Sequence, residues 1–381
     1  MRILNRWLLE DNIRRAAEED LDNNKVFGSA YWVFQEGETV CQRCFGITSL
    51  TEPTPVTDTT LFRLASMTKP VMAVGALILE EQGALSLADP ITNYLPEWKN
   101  VHIKHPDGEG GYIDCGPAQR SITLRDLLTH TSGIGSEPIK AQRMPPEAKA
   151  TVDATLAYYR QVGLDFEPGT AQAYSGFAAF DALGKVIETV TGLSLTEFLT
   201  RELFTPCGMT DTVFIPSPEQ QSRLITMHDR EDGRNVHGYT VPGCLFENFP
   251  WTHPVGGAGL ASTLRDYAAF ARMLLQEGQG DNGRVLSPAA VARMRTPYVT
   301  PAMMPGNEQW GLGVRVITSP AYGDLAVGTF GWSGAYGSHF WVEPENRVAA
   351  VFLKNSRVDG GSGNQSARRF EEAVKAAFQP D

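Results

Sequence analysis

Runs of β-branched and aromatic residues lie at the two ends of this chain, with a long helical stretch between them, and that split limits how it can fold. Ser29-Ala-Tyr-Trp-Val-Phe34 and Thr39-Val-Cys-Gln-Arg-Cys-Phe-Gly46, separated by Gln35-Glu-Gly-Glu38, read as an antiparallel hairpin. Strand-like runs return at residues 311–317, 326–330, 337–342 and 347–353, flanked by helical patterns at 263–276 and 366–378. The arrangement predicts an α+β fold, with one antiparallel sheet drawn from both ends of the chain and an inserted helical region. The expected division is 1–83 with 207–381 as an α/β sandwich region, and 84–206 as a mostly helical region. Within the latter, the glycine-rich 102–119 and the proline-rich 135–148 read as long loops.

One helix should lie at the centre. Residues 71–82 are apolar on nearly all sides and stop at Gly83, the residue type favoured just past a helix end. Phe62-Arg-Leu-Ala-Ser66-Met-Thr-Lys69-Pro70 leads into it. On a helix, positions i and i+3 share a face, so the Lys69 ammonium can reach the Ser66 hydroxyl, and a hydroxyl beside an amine is a nucleophile with its base. Pro70 puts Ser66 in the first turn, where backbone N–H groups have no intrahelical partner and can face a developing oxyanion. S-x-x-K alone describes a serine helix cap equally well.

Composition narrows the partners. A formal net charge of −11, with no lysine and arginine cluster, disfavours nucleic acid and anionic membrane surfaces. The longest clean apolar run, 71–79, is far short of the ~20 residues that span a bilayer. The N-terminal residues read as an amphipathic helix to about residue 23, interrupted by charge, and a cytoplasmic protein is expected. Cys41, Cys44, Cys115, Cys207 and Cys244 are odd in number and irregularly spaced, which is not a disulfide framework. His102 and His105 have no third metal ligand nearby, and the glycine run 255–263 lacks both G-x-G-x-x-G and a P-loop lysine. Gly331-Trp-Ser333-Gly-Ala335 falls one residue short of a G-x-S-x-G nucleophile elbow.

Four segments occur in one order: Leu61-Phe-Arg-Leu-Ala-Ser66-Met-Thr-Lys69, Leu127-Leu-Thr-His130-Thr-Ser132-Gly133, Pro168-Gly-Thr170 followed by Tyr174-Ser175, and Gly256-Gly-x-Gly259-Leu-x-Ser262-Thr263. Together they resemble the serine β-lactamase-like superfamily in its class C branch, over roughly residues 20 to 378, and are most similar to family VIII carboxylesterases. The resemblance implies a β-lactamase/transpeptidase-like fold, with Ser66 as acylated nucleophile and Lys69 as its partner. Tyr174, matching the first residue of the family's Y-x-N motif, would share the base role, helped by the Lys69 charge or a proton relay. The family's K-T-G motif aligns with Trp332-Ser333-Gly334, so the Ser66 and Ala335 N–H groups would form the oxyanion hole.

Two departures bear on substrate. Trp332 stands where relatives carry a lysine for a substrate carboxylate, and Gly176 stands where they carry the Y-x-N asparagine. Both remove polar recognition, although Arg368 or Arg369 is a candidate carboxylate contact from elsewhere. The implied activity is hydrolysis of carboxylic esters through an acyl-enzyme, with Trp332, Ser333, Gly334 and Gly176 at the substrate. Alternatives are a D-amino-acid amidase or peptidase, a weak β-lactamase, an acyltransferase, or a catalytically silent binding module of the same fold. No metal or organic cofactor is implied. The expected partner is a small-molecule ester or amide, and the oligomeric state is open, a homo-oligomer included.

Overall fold

The computed structural model describes residues 1–230, 236–238, 252–320 and 325–379. Its main sheet has seven strands: β1 (Gly28–Gln35), β2 (Glu38–Gly46), β3 (Glu308–Trp310), β4 (Arg315–Ile317), β5 (Phe330–Ser333), β6 (His339–Glu343) and β7 (Val348–Lys354). Their order is β2-β1-β7-β6-β5-β4-β3, antiparallel throughout. The two ends of the chain meet where β1 pairs with β7, from Ser29 opposite Lys354 to Gln35 opposite Val348. Every residue of these two strands is buried, as expected for central strands covered on both faces.

The longest helices among the described residues are α1 (Arg6–Asp22), α2 (Thr68–Glu81), α3 (Ala178–Thr191), α4 (Leu264–Leu275) and α5 (Gln365–Ala376). Side chains of a strand alternate between faces, so Tyr31 and Val33 join Leu9 and Ile13 of α1 and Phe370 and Val374 of α5 in one core. Trp32 and Phe34 point the other way, into a larger core that contains α2, α3 and α4. Residues Thr68 to Leu79 of α2 are all buried, and Gly83 after it takes a left-handed φ of 71°. That is the predicted central helix.

Local details differ from expectation. Ser66 lies in a 3-10 turn, Ala65–Met67, just ahead of α2 rather than in its first α-helical turn. Residues 102–119 are not a plain loop: His102–Pro106 pairs with Tyr112–Pro117, and the Asp107 carboxylate closes the hairpin by accepting the Glu109 and Gly111 N–H groups at 2.8 Å each. Residues 135–148 contain a short helix, Pro138–Gln142, started by its proline. Strand β3 is too short to show alternation, which hid it in the sequence. Cys41, Cys44, Cys115 and Cys207 are free thiols, and Cys244 lies outside the described residues. Burial pushes the Cys41 and Cys207 thiols up to about 12, which keeps them protonated.

Leu77 on α2 is fully buried, whereas Leu8 on α1 is 41% exposed. Leu77→Ala should lower the free energy of unfolding by roughly 2–5 kcal/mol in a denaturant titration. Leu8→Ala should change it by about 0.5 kcal/mol or less.

Candidate active site

The segment before Ser66 is held on both sides. Phe62–Arg63 pairs with Ala261–Ser262, and the Leu64 N–H donates to the Leu260 carbonyl at 2.9 Å. The Asn355 amide clamps Arg63 from the end of the sheet, accepting its N–H and donating to its carbonyl, each at 2.9 Å. A Cβ at Gly334 would lie 2.4 Å from the Leu64 carbonyl oxygen, so only glycine lets the end of β5 approach this closely. Ala65 then takes a positive φ of 47° as the chain turns into the 3-10 segment. A left-handed alanine is strained, and strain of this kind persists where surrounding contacts enforce it.

Lys69 is completely buried. Its Nζ donates to Ser66 Oγ at 3.2 Å, to the Gly176 carbonyl at 2.6 Å and to the Gly257 carbonyl at 2.8 Å. Three acceptors match the three donors of an ammonium. The Tyr174 hydroxyl donates to Ser66 Oγ at 2.7 Å and accepts from the Trp332 indole N–H at 3.2 Å. The Lys69 Nζ also lies 4.9 Å from the centre of the Tyr174 ring.

An aromatic cluster backs this array. The Tyr174 ring packs on His130 at 4.5 Å, Trp332 at 5.5 Å and Trp310 at 5.8 Å between centroids. His130 Nδ1 accepts the Ser175 N–H at 3.1 Å, which fixes the ring. Burial, together with the Lys69 charge, holds the His130 pKa well below the usual imidazole value, so it stays neutral.

Ser66, Tyr174, Trp332, Ser333 and Ala335 all border one cleft of about 340 Å³. Among the described residues neither the Ser66 nor the Ala335 backbone N–H donates a hydrogen bond. Several of the expected substrate contacts also hold the site together. Gly334 is spent on the close approach to Leu64, and Gly176 turns its carbonyl to Lys69. The Ser333 hydroxyl is bonded to His339 Nδ1 at 2.8 Å, and His339 Nε2 to Glu371 at 2.8 Å. Arg369 pairs with Asp20 and Glu19 of α1, and Arg368 borders a separate cavity beside His339 and Glu371. The arginine that does border the cleft is Arg357, just after β7, which no sequence motif marked.

The family model described as Beta-lactamase matches residues 13–375. The chain belongs to that family. It is 34% identical to Protein Rv1367c of Mycobacterium tuberculosis, covering 90% of this chain and 89% of that one. It is 29% identical to Esterase EstB of Burkholderia gladioli, covering 91% and 90%. Among solved structures it is similar to EstCE1, described as a hydrolase with promiscuous acyltransferase activity, with a TM-score of 0.81, 24% identity and coverage of 97% and 99%. The α+β architecture is therefore the β-lactamase/transpeptidase-like fold, shared with serine hydrolases. Among the described residues no helix is long and apolar enough to cross a membrane.

His228 links the segment before Ser66 to the rim of the cleft. Its N–H donates to the Asn355 carbonyl at 2.9 Å, its carbonyl accepts the Arg357 N–H at 3.0 Å, and its ring packs on Phe27. Burial lowers its pKa to about 4 from 6.5. An unfolded chain therefore binds a proton between those values that the folded chain refuses, and stability is lost as pH falls through that window. The difference in unfolding free energy between wild type and His228→Gln should fall by about 3 kcal/mol between pH 7 and pH 4, measured by denaturant titration.

Proposed function

We propose that the protein is a carboxylic-ester hydrolase of the family VIII type, working through an acyl-enzyme on Ser66. The observation that carries this reading is the convergence on Ser66 Oγ of two groups that handle protons, Tyr174 OH at 2.7 Å and Lys69 Nζ at 3.2 Å. In the reactive form the Tyr174–Lys69 pair has lost one proton, so Ser66 Oγ attacks the ester carbonyl and its proton passes to that pair. The Ser66 and Ala335 N–H groups receive the oxyanion. The departing alcohol takes the proton, leaving Ser66 acylated. Water then repeats the sequence in reverse order of roles, releasing the acid and restoring the Ser66 hydroxyl. Ser66 and Ala335 both border the cleft and neither N–H donates a hydrogen bond among the described residues, which leaves them free for a developing oxyanion.

Trp332 supports an ester reading over recognition of an anionic group at that position. It offers an indole face and commits its one N–H to the Tyr174 oxygen. That N–H holds the Tyr174 oxygen in place beside Ser66. Short or medium acyl groups suit the aromatic wall formed by Tyr174 and Trp332. Transfer of the acyl group to an alcohol in place of water uses the same site, and the EstCE1 description is the reason to test for it.

The test is a panel of p-nitrophenyl esters, a chromogenic cephalosporin and a D-alanine anilide, assayed with and without added alcohol. Ester turnover is expected, and it should vanish in Ser66→Ala. Turnover surviving in that variant sinks the mechanism, and fast cephalosporin turnover with negligible ester activity overturns the substrate class. Tyr174→Phe should lower kcat by about 10²- to 10⁴-fold. Trp332→Phe keeps an aromatic ring and loses the donor, so kcat should drop by about tenfold with a smaller change in KM.

A further inference from the structure

The glycine run at 255–263 is the sequence motif that the acyl-transfer scheme leaves without a task, and its packing gives it one. A Cβ on Gly256 would lie 2.3 Å from the Phe180 carbonyl oxygen, and one on Gly257 would lie 2.6 Å from Phe177 Cα. The turn is therefore seated flush on the start of α3. On one side the Gly257 carbonyl accepts from Lys69 Nζ at 2.8 Å. On the other its N–H donates to Asp181 Oδ1 at 3.2 Å.

Asp181 is a buried carboxyl in the first turn of α3, with no ion pair of its own among the described residues. The charged and titratable groups that face it are Lys69 from α2, Tyr159 from the helix Val152–Val162, and Lys149 and His253 across an adjoining cavity. Lys185 and Glu188 on its own helix border a second cavity with it, and Lys185 is already paired with Asp153 at 2.9 Å. Lys69 is thus the cation whose charge acts on Asp181.

We propose that Asp181 is a positioning residue for Lys69, acting through the Gly256–Gly257 turn, and that its ionisation tunes the proton affinity of Lys69. This rests on Ser66 being the nucleophile and Lys69 its partner in proton transfer. Burial raises the Asp181 pKa to about 7, while the Gly257 N–H and the Lys69 charge pull the other way. The group therefore changes charge in the range where the enzyme would work. As a carboxylate it strengthens the hold on the Gly257 N–H and favours the Lys69 ammonium; as a neutral acid it does neither. Replacing it by asparagine removes the negative charge behind the Lys69–Gly257 contact while keeping an acceptor for the Gly257 N–H, so the effect is read in the pH dependence of the rate.

The test compares kcat/KM for p-nitrophenyl acetate in wild type, Asp181→Asn and Ser66→Ala, from about pH 5 to about pH 10. One limb of the Asp181→Asn profile should move down by about 0.5 to 1 pH unit while the other stays in place. A merely structural role would lower the rate without moving a limb, so both limbs at their wild-type positions overturn the proposal. If Asp181→Asn fails to fold, the reciprocal measurement decides: the carboxyl titration of Asp181, followed by carbon NMR, should move to higher pH in Lys69→Met. An unmoved midpoint there also overturns it. Ester turnover that persists in Ser66→Ala removes the underlying catalytic reading, a result distinct from unmoved limbs in an enzyme that Ser66→Ala silences.

Discussion

Lys69 is fully buried and, unlike the equally buried Lys140 and Lys354, has no carboxylate paired with it among the described residues, and the rest of the site is arranged around it. Taking a charge out of water costs several kcal/mol even after relaxation, and the cost is met only when every donor finds an acceptor. Lys69 finds three: a side-chain oxygen one turn away on its own segment and two main-chain carbonyls, at Gly176 and Gly257. Those carbonyls belong to segments 107 and 188 residues distant in sequence. Satisfying one amine therefore fixes the start of α2, the approach to α3 and the glycine turn against each other. The same convergence sets the Tyr174 hydroxyl against Ser66.

The coarse plan is legible in the sequence because it depends on signals that survive in short windows. Strand-forming runs at both ends mark the sheet, and the apolar run ending at Gly83 marks α2. The S-x-x-K spacing places Lys69 beside Ser66, although the turn between them is 3-10 where a first α-helical turn is expected. What stays hidden depends on distant partners. Gly176 reads as a lost side-chain contact, yet its carbonyl is what Lys69 uses. Ser333 borders the cleft, and its hydroxyl is bonded to His339 on the neighbouring strand, where the register pairs the two residues, a partner the sequence did not mark. Arg357 carries no motif at all, and its place at the cleft follows from a segment tied down through Asn355, Ser356 and His228. Main-chain acceptors and cross-strand partners leave no trace in residue type.

Near Ser66, glycine serves close approach rather than backbone freedom. Gly334, Gly256 and Gly257 do not take left-handed φ values; each is needed because a Cβ would strike a main-chain atom of another segment. They are contact points between pieces of backbone. Such positions tolerate no larger residue without moving the carbonyls and N–H groups that surround Ser66, so the geometry of the site is written into the absence of side chains as much as into their presence.

The aromatic cluster then decides what kind of site this amine serves. Around Tyr174 stand Trp310, Trp332 and a His130 kept neutral by burial and by the Lys69 charge, with Phe180 beneath the ammonium at 5.4 Å. Rings exclude water, and a water-poor surrounding strengthens each remaining electrostatic contact. A second cation where Trp332 stands would repel Lys69 and give an anionic substrate a handle; an indole does neither. Its single N–H goes to the Tyr174 oxygen, so the residue that removes polar substrate recognition also supports the proposed base. On the proposed reading, one residue, Trp332, both withholds a cation from that position and supplies a donor to Tyr174, which suits a neutral acyl group at Ser66.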